Sequence, residues 1–364
     1  MNITELCVGP MSLNIINAIV NLNNEYGINL PLISSRRQIE TNKIGKGYVN
    51  NFTTEEYSKY INSIDTKKNI KLCRDHGGPW QSSEAFEKDK YTETNKNCEL
   101  SFEQDILSGF KYIHIDPSIN LNSKKELIDR IENLYCHCIN FARKKNKDIY
   151  IELGKEEQTD GFTNDKDLEE FIISILDMCK KNNLPKPNYI VDQFGTLVKE
   201  TKNIGQITKD DKSSWNKFHS KIEIFKKYNI KSKIHNADYL KPEILKKFNK
   251  VGVDAINIAP EIGVLETRKL IEVCKEHSLR KEIDDFLEIS LSSLKWQKWL
   301  INENNINDYD KAIISGHYIF SDIDFVDLKK RITFELKKKQ IDLNKYLINE
   351  IRDYLKKMYF YIND

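Results

Sequence analysis

Eight times along residues 1–280 a short run of strand-forming residues ends in polar side chains and gives way to a stretch with helical apolar spacing. Strand–helix units repeated in this way confine the fold to a mainly parallel sheet covered by helices, either closed as a (β/α)8 barrel or left open and doubly wound. No glycine-rich phosphate fingerprint follows the first run, which favours the closed TIM barrel. The runs lie at 3–8, 30–34, 70–73, 112–115, 148–153, 189–192, 231–234 and 255–258. Their helices are expected at 11–25, from Thr53 with Glu56 as a capping box, from Ser101 with Gln104, and from Ser123 with Glu126. The remaining four are expected at 168–181, at 215–228 after an insertion from Gly195, from Pro242, and at 264–277.

The pattern changes after residue 280. Residues 281–364 read as a helical C-terminal extension, helical at 286–299 and 327–360, that packs on the barrel or on a partner subunit.

Bulk properties narrow the function. Fifty-seven basic against 55 acidic residues give a net charge of +2, too little for a global field toward nucleic acid. The seven cysteines are odd in number and form no CxxC pair. Cys136-His137-Cys138 looks metal-like, but it falls in a helical pattern where neighbours two apart do not share a face. Scattered thiols suit a reducing cytoplasm. No apolar run approaches the ~20 residues of a membrane span, and no signal-peptide pattern opens the chain.

In a barrel the chemistry sits where strands give way to loops. The runs here end in Asp75-His76, Asp116, Glu152-Leu153-Gly154-Lys155-Glu156, Asp192-Gln193, His235-Asn236-Ala237-Asp238 and Asn257. Asp75-His76 is the sharpest signal, because Gly77-Gly78-Pro79 supplies a turn that can bring both side chains into the mouth. His76 and His235, with a carboxylate from Glu152 or Glu156, make a nitrogen and oxygen donor set with open positions, the pattern of a catalytic divalent metal. Asp75, Glu152 and Glu156 are the candidate acid/base groups. His114 falls inside its run and reads as a buried structural histidine, whereas Asp116 and Ser118 reach the mouth. Arg36, beside Arg37, is placed to meet a phosphate or a sugar hydroxyl. Asn236, Asp238 and the stretch from Asn257 to Gly263 lie where barrels commonly hold phosphate, on amides at the start of the eighth helix.

Four ordered motifs carry a resemblance. Cys73 to Gln81 resembles a "DHxGP…WQ" segment, and Gly109 to Ser118 a "GFxxIHxDxS" segment. Gln38 to Gly47 is similar to an "NQ…GGY" loop with Lys46 between the glycines, and His235 to Tyr239 to "HSTDY". Across residues 7–275 the chain resembles the non-catalytic subunit family of class II D-tagatose-bisphosphate aldolase. The resemblance implies a TIM barrel related to zinc-dependent class II ketose-bisphosphate aldolases, in which three histidines bind zinc and the aspartate beside the first is the acid/base. Asp75, His76 and His235 match those positions. Gln193 stands where the aldolases carry another histidine, as glutamine does in the subunit family, and Asn257 matches an asparagine that holds substrate. Gln38, Gln193, Asn236 and Asp238 are thereby candidate substrate contacts.

Some members of that family are ketose or ketose-phosphate C4-epimerases. The resemblance therefore implies a metal-dependent, Zn2+-using epimerase acting on a small sugar or sugar phosphate by retro-aldol/aldol chemistry through an enediolate. Proton removal at C3 would instead give C3 epimerisation with the same parts. The competing expectation is a non-catalytic subunit that stabilises an aldolase partner; a homo-oligomer is also compatible. A sugar-phosphate kinase is disfavoured by the absence of a P-loop motif.

Overall fold

The computed structural model describes residues 3–82, 87, 90–119, 121–154, 159–301 and 306–364. Its centre is a closed barrel of parallel strands: β1 (Glu5–Val8), β2 (Leu32–Ser35), β3 (Leu72–Gly77), β4 (Tyr112–Ile115), β5 (Tyr150–Gly154), β6 (Tyr189–Val191), β9 (Lys231–Ile234) and β10 (Ala255–Ile258). β10 pairs back onto β1 in register, Glu5 with Ala255 through Val8 with Ile258. The insertion after β6 holds a two-stranded hairpin, β7 (Val198–Lys199) and β8 (Lys202–Asn203). The barrel with C-terminal helices is thus the architecture expected from the repeat.

The surrounding helices are α1 (Leu13–Tyr26), α2 (Thr54–Ile64), α3 (Tyr91–Leu107), α4 (Lys124–Lys144), α5 (Asp165–Lys181), α6 (Lys212–Tyr228), α7 (Pro242–Val251) and α8 (Pro260–Glu276). Their starts follow local chemistry. Thr53 and Glu56 close a reciprocal capping box, and the Ser123 hydroxyl accepts the amide of Glu126. Ser101 is different. It lies inside α3, buried, and its hydroxyl donates to Glu40 Oε1 at 2.7 Å, so the third helix begins ten residues before the cap expected there. An S-x-x-Q pattern is common inside helices, and tertiary burial decides which copy is an end.

Beyond the barrel come α9 (Arg280–Ser292), α10 (Asp308–Ser315), α11 (Ile323–Lys337) and α12 (Leu343–Asn363). The stretch 327–360, read as one helix, is two: the chain turns after α11 with Gln340 at φ 62°, and Asp342 caps α12. Ile351, Leu355 and Ile362 of α12 belong to the same apolar core as the barrel helices. α12 lies against α1, α7 and α8, so the extension packs on the barrel itself. No helix among the described residues is long and apolar enough to cross a membrane.

Candidate active site

The strands open onto one mouth, which holds a cavity of about 460 Å³. Gln38, Asp75, His76, Asp116, Ser118, His235, Asn236, Asp238 and Asn257 all line it.

Adjacent strand residues normally face opposite ways, yet Asp75 and His76 both reach the centre. The register shows how. β3 advances from Arg74 to Gly77 while β4 advances only from Ile113 to Ile115, so one extra residue is bulged out of β3. His76 takes a left-handed backbone with φ 43°, an uncommon state for a histidine, held here by its neighbours. Its amide donates to His114 Nδ1 at 3.1 Å and its ring Nδ1 donates to Asp116 Oδ2 at 2.9 Å. Asp116 also accepts from Gln81 Nε2 and from the Ser118 hydroxyl. Asp116 therefore orients His76, the outer-shell role that fixes an imidazole's tautomer. Gly78 permits the bulge, because a Cβ there would stand 2.1 Å from the Asp116 carbonyl oxygen.

His114 and Glu152 are register partners on β4 and β5, and both side chains enter the barrel. His114 Nδ1 lies 3.6 Å from Asp75 Oδ1 and 3.7 Å from Glu152 Oε1. His235, one residue past β9, presents its two nitrogens to different neighbours. Nδ1 faces His76 Nε2 at 3.3 Å, while Nε2 faces Glu152 Oε1 at 3.3 Å and Asp75 Oδ1 at 3.7 Å. Beneath them Lys233 Nζ donates to Glu152 Oε2 at 2.7 Å, both side chains being almost fully buried.

Two overlapping groups result: His76 with His114 and His235, and Asp75 with His114, Glu152 and His235. The expected trio of His76, His235 and Glu152 is split between the two edges of the His235 ring, and His114 is common to both groups. His114 is buried as expected, but at the centre of the cluster rather than as a purely structural side chain. It and Lys233 are the central residues that sequence reasoning passed over.

Electrostatics favours a cation here. Burial would raise the Asp75 carboxyl, but the charges of His76 and His235, with His114 close by, hold it well below the usual range. Burial works the same way on Glu152, and Lys233 with His114 and His235 overcomes it, leaving a pKa of about 2. Asp116 is likewise held at about 2, burial being outweighed by His76. Imidazole nitrogens beside ionised carboxylates, with one lysine already committed to Glu152, form the donor chemistry that a borderline divalent cation such as zinc takes up.

Other expected residues fall elsewhere. Arg36 is fully buried, its Nε bonded to Glu40 at 2.8 Å and its Nη1 to the Gly78 carbonyl at 2.9 Å; it braces the loop after β2 and does not line the cavity, whereas Arg37 does. Gln193 is buried past the end of β6 and is not in the cavity wall. Glu156 lies outside the described residues. The amides at the start of α8 are not open for a phosphate: Asp238 Oδ1 accepts those of Ala259 and Glu261 at 2.8 and 2.9 Å. Asn257 Nδ2 lies 3.4 Å from Asp75 Oδ1. Lys298, Trp299 and Tyr318, all from the C-terminal extension, complete the cavity wall.

No family model and no curated protein matches this chain. Solved structures do. A probable tagatose 6-phosphate kinase from Sinorhizobium meliloti 1021 superposes with a TM-score of 0.78 at 13% identity, covering 98% of this chain and 99% of that one. Fructuronate-tagaturonate epimerase UxaE from Cohnella laeviribosi gives 0.57 at 11% identity, over 98% of this chain and 81% of its own. Fructose-bisphosphate aldolase from Campylobacter jejuni gives 0.54 at 12% identity, over 100% and 92%. At these identities the likeness is one of fold: a barrel of the kind seen in sugar-processing proteins.

Proposed function

We propose that this protein is a metal-dependent epimerase of a ketose or ketose phosphate, inverting C4 by retro-aldol and aldol steps, in the cytoplasm. The observation that carries the reading is the convergence of His76, His114, His235, Asp75 and Glu152 at one barrel mouth. An aldolase and an epimerase named for sugar substrates share the fold, and the seven free thiols suit a reducing compartment.

His76, His114 and His235 are the residues that would hold a divalent metal, with Glu152 on the other edge of the His235 ring, and zinc is the best match to the donors. When bound, it supplies Lewis-acid stabilisation of negative charge developing on substrate oxygens. The remaining work belongs to the chain. Asp116 fixes the His76 ring, and Lys233 keeps Glu152 ionised and in place. Asp75 accepts the C4-hydroxyl proton as the C3–C4 bond breaks. The bonding pair moves to C3 and is shared with the C2 carbonyl as an enediolate, while C4 becomes an aldehyde. Asn236 and Asn257 offer polar contacts that retain both fragments. After the aldehyde turns its other face, C3 re-adds and Asp75 returns the proton.

The test pairs elemental analysis of protein purified without chelator with an NMR screen of ketoses and ketose phosphates. Stoichiometric metal, its loss in His76→Ala, and a new C4-epimer signal are expected. A chain without metal, inert toward every ketose yet restoring activity to an added aldolase subunit, would establish the stabilising-subunit role instead. A C3-epimer signal would move proton removal from the hydroxyl to carbon.

A further inference from the structure

The phosphate position usual for barrels is filled from within by the Asp238 carboxylate. The same cavity contains two cations. Arg37 comes from the loop after β2, and Lys298 from the short 3-10 turn Gln297–Trp299 beyond α9. Among the described residues neither forms an ion pair. Arg37 Nε donates to the Ser82 carbonyl at 3.0 Å. Lys298 Nζ lies 4.7 Å from the centre of the Tyr318 ring and 5.0 Å from that of Trp299. Both side chains are exposed at the rim, unlike the buried, carboxylate-bound cations Arg74, Lys221 and Lys233; what sets them apart is that both open onto the cavity that holds the histidine cluster.

The turn is fixed independently of the lysine side chain. Glu200 N donates to the Trp299 carbonyl at 2.8 Å, and Lys199 Nζ to the Lys298 carbonyl at 3.1 Å, both from the β7–β8 hairpin. Trp299 Nε1 donates to the Tyr318 hydroxyl at 3.2 Å. The insertion after β6 and the C-terminal extension thus clasp each other and present Lys298 to the cavity. Surrounding protein and the charge of Arg37 together lower the Lys298 pKa to about 8, although one side of the lysine stays open to solvent. An anion between the two cations would relieve that repulsion.

We propose that Arg37 and Lys298 form the subsite for the anionic end of the substrate, a phosphate monoester or a carboxylate. The inference rests on the epimerase reading only for the sugar that carries this anion. It makes the C-terminal extension a specificity element of the barrel.

Isothermal titration of the full chain with inorganic phosphate, then with a hexulose 6-phosphate and a hexuluronate, tests it. Arg37→Met and Lys298→Met should each weaken phosphate binding by about tenfold or more, the scale of a lost charge-assisted hydrogen bond. Lys298→Arg should restore most of it, and Lys166→Met, on an exposed face of α5, should bind as wild type. The tighter of the two sugar ligands identifies the anion. Unchanged phosphate affinity in both methionine variants, with wild-type melting temperatures, would overturn the subsite, as would a wild-type chain that binds neither anion. Anion binding through these residues without any epimerisation would retain this inference and defeat the proposed reaction. Epimerisation of a hexulose 6-phosphate or a hexuluronate with KM unchanged in both methionine variants would do the reverse.

Discussion

Asp75 reaches the histidine cluster through the shape of its backbone. The bulge that turns His76 inward also aims the Asp75 carboxylate at His114 and His235. Asp75→Asn preserves size and hydrogen bonding and removes basicity. Metal content and substrate affinity should persist while turnover falls ~10²–10⁴-fold, the usual scale for general acid–base catalysis; turnover within a few-fold of wild type would exclude the role. Asp75, His76 and His235 were legible because they end their runs. His114 was not, because a histidine inside a strand reads as core. The signal was the spacing to Asp116: residues two apart share a face, so His114 occupies the same face one layer deeper. Lys233 stands in the same relation to His235. In the Arg36-Arg37 pair the useful signal was Glu40, four residues after Arg36, which marks the arginine already committed to an internal ion pair.

At the scale of elements, the start of α8 shows how a general rule is overridden. Free helix amides attract anions, and here the anion is Asp238, whose Oδ1 takes two of them. Burial and the charge of Glu261 nevertheless raise Asp238 to about 7, the backbone donors notwithstanding. The sign follows directly. Between about pH 4 and 7 the unfolded carboxyl ionises while the folded one keeps its proton, so the native state binds more protons and stability falls as pH rises through that window. Asp238→Asn removes this titration. Its melting temperature, relative to wild type, should climb from pH 4 to 7; a constant offset would show that Asp238 ionises normally in the fold. Nothing in the local sequence distinguishes an aspartate that caps a helix from one that meets substrate. Distant burial and the approach of Glu261 decide it, just as the packing of Ser101 on Glu40, rather than its S-x-x-Q spacing, decides that α3 runs through it.

For the whole molecule, the barrel was the most legible feature, since eight strand–helix units leave few closed arrangements. Least legible was the extension, whose amphipathic helices fit a partner subunit as well as the barrel. Its last helix is joined to the barrel. Asn363, at the end of α12, accepts the Thr4 amide at 2.9 Å and donates to the Thr4 carbonyl at 3.3 Å, joining the last helix to the approach of the first strand. Ile351, Leu355 and Ile362 are buried in the core shared with α1 and α7. Each such side chain contributes ~1.5–3 kcal/mol, so three of them approach the ~5–15 kcal/mol that separates a folded domain from its unfolded chain. Removing residues 343–364 should therefore abolish the cooperative melting transition or yield insoluble protein. The expected barrel of residues 1–280 would then not be self-sufficient, although it carries every histidine of the cluster. Retention of a sharp transition within a few degrees of wild type would show instead that α12 only covers a core complete without it. Circular dichroism melts of the truncated and full chains, read beside metal content, separate loss of the fold from loss of the site.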